Sequence, residues 1–562
     1  MLSGDNGVLQ RATDAKEKTV IAQEEENAKL TFTEVQMELA QGKTVESNQF
    51  QKIVDGNFGT GKATGTIGGG SYIITVARTG INYQMDSNGN ISILNEVPID
   101  FTPGILEGNG TENNPYVINS VEDLLAFAYN VNSKATSYEN EYVTLGRNLD
   151  LKDEKSYVDA TTKYSLNQYT DNYGQKFDLG YTPDETSNYP VIACMQGCYS
   201  GKAFIAVGID YNWSSYPSSY FKGNFDGCGH YIKNLDSRFE NDVGLFGIVQ
   251  GNVTIKNIGI ESGDIRDNGY SMGAGIVATT DGSDSNVIMD NCYNKANITC
   301  ASAGGIVGWN ISANITVTNC YNVGNVIATR NDAGGIIGYY SAFNNGFIEN
   351  CYNTGNVNST SGQAGGICSY SGYQYTKNCY NSGVVSTGSL LAGGIVSQFG
   401  NSSMNISQCY NFGTVYSGNS EANGIGSNYT GYNETVKDCY NSGNISSSSS
   451  TSGACGIITS KKTSVTITNC HNTGNISGTA SKSGEIVGRT GTVDNTNNYE
   501  VKDSNANANG AIGKTKSEMD EIMSVQKFVN LMNSYVSTNN SDSSKIKLKT
   551  WKVENELPVF DN

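Results

Sequence analysis

The chain has 562 residues, with 36 Lys and Arg against 54 Asp and Glu, a net charge of −18. That balance excludes a nucleic-acid partner, which needs an excess of cations to displace counterions. The 10% aromatic content argues against global disorder, and 66 glycines without a three-residue period exclude collagen. No apolar run of about 18 residues is available to span a bilayer, and the charged first thirty residues do not read as a signal peptide.

From Gln10 to Gln41 the chain is rich in Glu, Lys, Ala and Gln and contains neither Pro nor Gly. This predicts one long helix, stopped at Gly42. Residues 70–94 alternate apolar and polar side chains, and Asp86–Asn90 carries a hairpin turn signal, so a small antiparallel sheet follows. Pro98, Pro103 and a Gly-rich stretch to Gly110 read as a linker. These readings divide the N-terminal part into a helix over 1–45 and a sheet with its linker over 46–105. Ser120 and Asp123 then form a capping box ahead of LLAFAYNV, predicting a short amphipathic helix in a cap spanning 106–135.

Residues 136–500 are organised by a repeat. NCYN recurs at 291–294, 319–322, 350–353 and 378–381, followed by QCYN at 408–411, DCYN at 438–441 and NCHN at 469–472. The cysteines, at 292, 320, 351, 379, 409, 439 and 470, are spaced by 28, 31, 28, 30, 30 and 31 residues. A second motif, AGGIVG at 303–308 with copies at 333–338, 364–369 and 392–397, interleaves at the same period. Two motifs on one period imply one structural unit repeated. Gly, Asn, Ser and Thr are poor helix formers, whereas Ile315-Thr316-Val317-Thr318 alternates as a strand does. Each unit offers three short strands separated by Gly and Asn corners. The expected fold is therefore an all-β parallel β-helix of about nine coils, with helical caps, preceded by the long helix and the small sheet. Adjacent Cys and Tyr point to opposite faces of a strand, which places the cysteines inside as free thiols and the tyrosines outside. The Asn before each Cys is expected at a corner, in an amide ladder. Beyond the last coil, Ser517 and Asp520 start a second capping box. A helix through Met519, Ile522, Met523, Phe528, Val529 and Met532, with a strand from Trp551 to Phe560, is expected to close the C-terminal end over 501–562.

Two resemblances follow from particular residues. FKGNFDGCGHYIKNL at 221–235, GLFG at 244–247 and KNIGI at 256–260, with the later AGGIVG and NCYNTGNV copies, resemble GLUG-motif proteins over about residues 108–560. That resemblance implies a right-handed β-helix, surface-exposed on a bacterium and often attached to adhesins or surface proteases. Separately, MLSGDNGVLQ at 1–10 and the charged helix after it resemble a type IV pilin-like protein of Firmicutes. In that family the stretch directly follows a hydrophobic helix bearing the prepilin cleavage site. Membrane contact is expected only through such an upstream segment, and pilin-like subunits are the assembly partners it implies.

Residues suited to catalysis are sparse. The two histidines, His230 and His471, sit within repeat motifs and give poor raw material for a nucleophilic triad. Cys194, Cys198, Cys228 and His230 make a permissible zinc set, but the spacing of the first pair is loose and Cys228 fits its motif without metal, so neither metal nor cofactor is expected. DSNGN at 86–90 and DGSDSN at 281–286 lack the bidentate Glu of a calcium loop and read as turns. Asp264, Arg266, Asp267, Asp281, Asp284, Arg330 and Asp332 keep open the alternative of a β-helix polysaccharide lyase or hydrolase. The favoured reading is a non-catalytic extracellular module that recognises a host or environmental surface, glycans included. Tyr293, Tyr321, Tyr352, Tyr380, Tyr410 and Tyr440 form its candidate ligand-binding stripe. Aromatic faces beside Asn amides suit sugar rings. Equally, the rings of such a stripe can pack on one another and cover the strand edge.

Overall fold

The computed structural model describes residues 27–561 apart from internal stretches, the longer being 96–105, most of 152–201, 210–217, 502–511 and 515–523. Residues 1–102 and 103–562 form two compact units.

In the first unit, helix α1 (27–40) buries Ala28, Phe32 and Val35, one face at helical spacing. It stops at Gly42, whose φ is +77°; the part of the expected helix between Gln10 and residue 26 lies outside the described residues. Helix α2 (Ser47–Phe58) was not expected within the sheet-and-linker segment. It contributes only Phe50 and Val54 to the core and carries Gly56, so its periodicity is weak in sequence. Strands β1 (Ala63–Gly68), β2 (Ser71–Val76), β3 (Asn82–Met85) and β4 (Ile91–Asn95) form an antiparallel sheet in chain order, with the hairpin at 86–90 as expected. Ile74, Val76, Tyr83 and Met85 face the helices. Gly65 lets the Phe50 ring lie flat on β1, where a Cβ would stand 2.8 Å from it.

The second unit is a right-handed parallel β-solenoid of about nine coils. Each coil is cut finer than the three strands expected. In one coil the strands are Ala333–Gly334, Ile337–Tyr340, Gly346–Glu349, Tyr352–Asn353 and Val357–Ser359, each pairing in parallel with its counterparts above and below. The second and third strands build one broad wall. In the first coils they are continuous, as Phe246–Lys256 and Val277–Asp290.

Corners are fixed by backbone chemistry. Asn291, Asn319, Asn350, Asn378, Gln408, Asp438 and Asn469, each just before a ladder cysteine, all have φ between 53° and 56°. Side-chain amides tolerate that left-handed conformation best after glycine. At the Gly-Asn corner the coils approach too closely for any side chain, and a Cβ on Gly355 would lie 2.0 Å from the Gly324 carbonyl.

Inside, Ile306, Ile336, Ile367, Ile395, Ile425 and Ile457 stack coil upon coil with the seven cysteines, all fully buried. The cysteines are free thiols. They do more than fill space. Each Sγ–H donates to the carbonyl two residues earlier, as from Cys320 to Thr318 at 3.1 Å and from Cys379 to Lys377 at 3.1 Å, closing the chain around its left-handed corner. Burial pushes the Cys292, Cys351, Cys409, Cys439 and Cys470 thiols well up, which keeps them protonated donors. An inner amide ladder also runs through the seven coils that carry the Cys motif. Asn294, Asn322, Asn353, Asn381, Asn411, Asn441 and Asn472 pass Nδ2–H to the next Oδ1 at 2.7–2.9 Å.

Helix α3 (Val121–Asn132) sits at the N-terminal end of this column. Ser120 Oγ accepts from the Asp123 N–H at 3.0 Å, and the Asp123 carboxylate accepts from the Asn119 N–H at 2.9 Å. Phe127 packs on Phe221, Phe225 and Phe246 of the first coils. Helix α4 (Val525–Ser541) and the hairpin Trp551–Glu554/Leu557–Phe560 form the C-terminal segment. The box at Ser517 and Asp520 lies outside the described residues; Ser524 caps α4, accepting from the Lys527 N–H at 3.2 Å. This segment packs along the flank of the solenoid instead of across its end.

Candidate recognition faces

The tyrosine stripe is a ladder, as its spacing required. Ring centroids are 5.0 Å apart for Tyr293–Tyr321, 4.8 Å for Tyr321–Tyr352 and 5.1 Å for Tyr352–Tyr380, with planes within 9° of parallel. Beyond Tyr380, Phe412 lies against both Tyr380 and Tyr410, and Tyr410 meets Tyr440 at 4.6 Å, tilted by 32°. That geometry changes its chemistry. In a face-to-face stack each interior ring is covered on both faces by its neighbours, so it presents only its edge outward. A sugar ring needs a free face.

The edges are in turn covered by the chain itself. Tyr352, Tyr380, Tyr410 and Tyr440 are 9, 0, 3 and 5% exposed. Phe560 meets Tyr352 edge-on at 5.1 Å, Trp551 meets Tyr380 at 5.8 Å, and Phe528 meets Tyr410 at 4.7 Å. The C-terminal segment also reads the outer Asn corners. Asn319 donates to the Lys547 carbonyl at 2.9 Å and accepts from the Lys549 N–H at 2.7 Å; Asn350 donates to the Lys549 carbonyl at 2.9 Å and accepts from Trp551 Nε1. The segment therefore climbs the ladder coil by coil. The open stripe expected at these four positions is closed, because an apolar row of phenols is better covered than wet. Only Tyr293 and Tyr321 remain half-buried. Burial pushes Tyr321 up to about 12, and it raises Tyr352 and Tyr380 as well.

Four of the candidate acids, Asp264, Asp267, Asp281 and Asp332, are engaged locally, while Asp284 is exposed on the wall. Asp264 pairs with Arg266 at 2.7 Å on the surface. Asp267 accepts backbone N–H groups of Gly269, Ser271 and Ala301, while burial raises its carboxyl. Asp281 accepts from Ser312 at 3.0 Å. Arg330 lies over the Tyr270 ring at 3.8 Å. Asp332 accepts from the Gln363 N–H at 2.7 Å, and burial lifts its carboxyl to about 6. His471 takes the tyrosine place at the end of the ladder, buried, and burial lowers it to about 4. Among the described residues no three His, Cys, Asp or Glu converge as metal ligands. Cys228 is exposed in a turn and His230 Nδ1 faces Asn148 Oδ1 at 3.3 Å; Cys198 and the side chain of Cys194 lie outside the described residues.

A second set of aromatics escaped the sequence reading. On the wall, Trp309, Tyr339 and Tyr370 form one outward row with centroids 4.8 and 5.0 Å apart. Phe347 and Tyr375, 5.8 Å apart and 13° from parallel, form another. Phe347 is 36% and Tyr375 46% exposed. The signal was present for the first row, since an aromatic stands three residues after the repeated isoleucine in AGGIVGW, AGGIIGY and AGGICSY. It was masked because the repeated motif itself ends before that position.

No family model matches the chain, and no curated protein matches it. A solved structure from Bacteroides ovatus, provisionally described as an immunoglobulin A1 protease, aligns with 81% of this chain and 94% of its own at 17% identity and a TM-score of 0.36.

Proposed function

We propose that this chain is a non-catalytic recognition module of a bacterial cell surface or pilus, holding a rigid β-solenoid against a host or environmental surface. The observation that carries this reading is the wall. A stiff column keeps Phe347 and Tyr375 exposed at fixed spacing, beside the half-buried Trp309–Tyr339–Tyr370 row, and exposed aromatics clustered on one face mark interaction sites. The local engagement of Asp264, Asp267, Asp281 and Asp332 supports a binding role over an acid-base one. The resemblance of 108–560 to GLUG-motif proteins supports an extracellular setting, and that of the first residues to pilin-like proteins supports assembly through an N-terminal helix. In the test, beads coated with the purified chain are presented to epithelial cells and mucin, and the same chain is incubated with soluble polysaccharides. Retention of beads without release of reducing ends or unsaturated sugars is the expected result. Release of either product would establish the lyase or hydrolase alternative in its place.

A further inference from the structure

The outward row containing Phe347 is an interrupted ladder. Strand pairing stacks Ile288, Thr316, Phe347, Tyr375, Asn405 and Thr435 in successive coils. Phe347 and Tyr375 stack on each other, so one face of each ring is covered. Their other faces look along the rod, Phe347 over Thr316 and Tyr375 over Asn405. Thr and Asn are much shorter than a phenyl ring, so each aromatic rises above its neighbour as a step. The covered tyrosine ladder shows what fills such a position elsewhere in this molecule: another flat ring, about 5 Å away.

The rim of the Phe347 step is an amide row. Asn286 donates to Asn252 at 2.9 Å and Asn314 donates to Asn286 at 3.1 Å, each two residues before the stacked position of its coil (Thr254, Ile288 and Thr316) and on the same side of the strand. Asn314 Oδ1 ends that row with no donor among the described residues. The charges nearest the step, Glu349 and Lys377, are both turned to Tyr535. The wall's charged row, one position further along, is engaged: Lys256 with Asp226 at 3.2 Å, Asp290 with Thr318 and Asn319, Glu349 with Tyr535.

We propose that the Phe347 and Tyr375 steps each seat one neutral pyranose ring, its C–H face on the aromatic and its hydroxyls on the neighbouring Asn and Thr side chains. The bound sugar takes the place of the missing rung. Because each step is one ring deep, the ligand is a terminal or branch sugar of a glycan and not the middle of a long chain. A chain carrying −18 net charge disfavours sialylated and uronic acid ends. This inference rests on the recognition reading and adds its ligand class.

The test uses the full chain on an array of glycans ending in glucose, galactose, mannose or N-acetylhexosamine, with sialylated counterparts, and repeats the cell-retention assay on enzymatically deglycosylated cells. Expected are binding to neutral ends, a loss of at least about tenfold for Phe347→Leu and Tyr375→Leu combined, which keeps apolar bulk but leaves neither step a flat face, and retention of binding for Phe347→Trp. Unchanged thermal unfolding of both variants confirms that the fold is not what was altered. Equal binding by the combined Phe347→Leu and Tyr375→Leu variant and the parent, or preference for the sialylated ends, overturns the step. Undiminished retention on deglycosylated cells overturns the step and leaves the recognition reading standing, whereas no retention on any cell removes that reading.

Discussion

Two flanks of the same column carry stacked aromatics, and they have opposite fates. On the Tyr293–Tyr440 flank the strands keep one register, the rings from Tyr293 to Tyr380 stack face to face, Phe412 lies against Tyr380 and Tyr410, and the C-terminal segment closes over the edges. On the wall the aromatic rows are short: Phe347 and Tyr375 are bounded by Thr316 and Asn405 and left open to water, and the half-buried Trp309, Tyr339 and Tyr370 by Thr279 and Gln398. A repeat therefore generates rows of like side chains on every face, but regularity alone does not mark a binding surface. Unbroken rows stabilise the column and invite a cover. Interrupted rows leave ring faces free.

The sharpest way to break the contrast is to strip the cover. Trp551 is 2% exposed, touches Tyr352, Tyr380 and Phe560, and bonds Asn350. Trp551→Ala is expected to cost about 3–5 kcal/mol of docking stability for the C-terminal segment. The column, with its separate interior core, stays folded. Limited proteolysis should then cut within α4 while the repeats resist. Tyr352 and Tyr380, whose phenols burial now raises, should ionise earlier in an alkaline absorbance titration. If the whole chain instead unfolds in one step, the covered flank and the core are one cooperative unit.

A smaller effect separates the interior from both flanks. Asp332 has a folded pKa of about 6 against 3.8 for the free group, so the native state keeps its proton over a window in which the unfolded chain has lost it. Stability therefore falls as pH rises from 3.8 to 6 and is level above that, a penalty of up to about 3 kcal/mol. Asp332→Asn keeps the acceptor for the Gln363 N–H and removes the penalty. It should unfold at higher denaturant than the parent at pH 7.5, by roughly 2 kcal/mol, and with the parent at pH 3.5. His471 titrates with the opposite sense, lowered to about 4, so its protonation destabilises the fold as pH falls from 6.5 to 4. Its contribution is common to both proteins and cancels in their difference. A gap that is the same at both pH values would show that Asp332 is not the group responsible.

Much of this architecture is legible in sequence because a solenoid writes its coil in the period. The cysteines, the corner Asn residues and the Tyr row all fall where thirty-residue spacing puts them. The second Asn ladder, from Asn294 to Asn472, stands two residues after each buried Cys in the same NCYN motif, so the alternation that sends Tyr outward sends this Asn inward. The cover was not legible in its place. The apolar pattern of Phe528, Val529 and Met532 predicts a helix with a buried face and says nothing about which of two surfaces, the open end or the tyrosine flank, will bury it. That choice depends on contacts such as Lys549 with Asn319, which lie 230 residues apart. The open wall was illegible for a different reason. Its aromatics occupy positions where some coils have Gln, Thr or Asn, so they do not belong to the repeat at all.

That irregularity predicts the smallest effect on stability. Phe347 is 36% exposed, and its one ring neighbour, Tyr375, is more exposed still. Phe347→Ala removes a single cross-strand stacking contact and creates no interior cavity, so the loss should stay under about 1 kcal/mol. The cover substitution should exceed it several-fold. Equilibrium unfolding of the two variants side by side measures the contrast directly. A loss at Phe347 as large as that at Trp551 would mean that the wall aromatics are structural rungs like the tyrosines. A near-neutral outcome means that packing does not require a phenyl ring there and leaves its free face open for the proposed sugar.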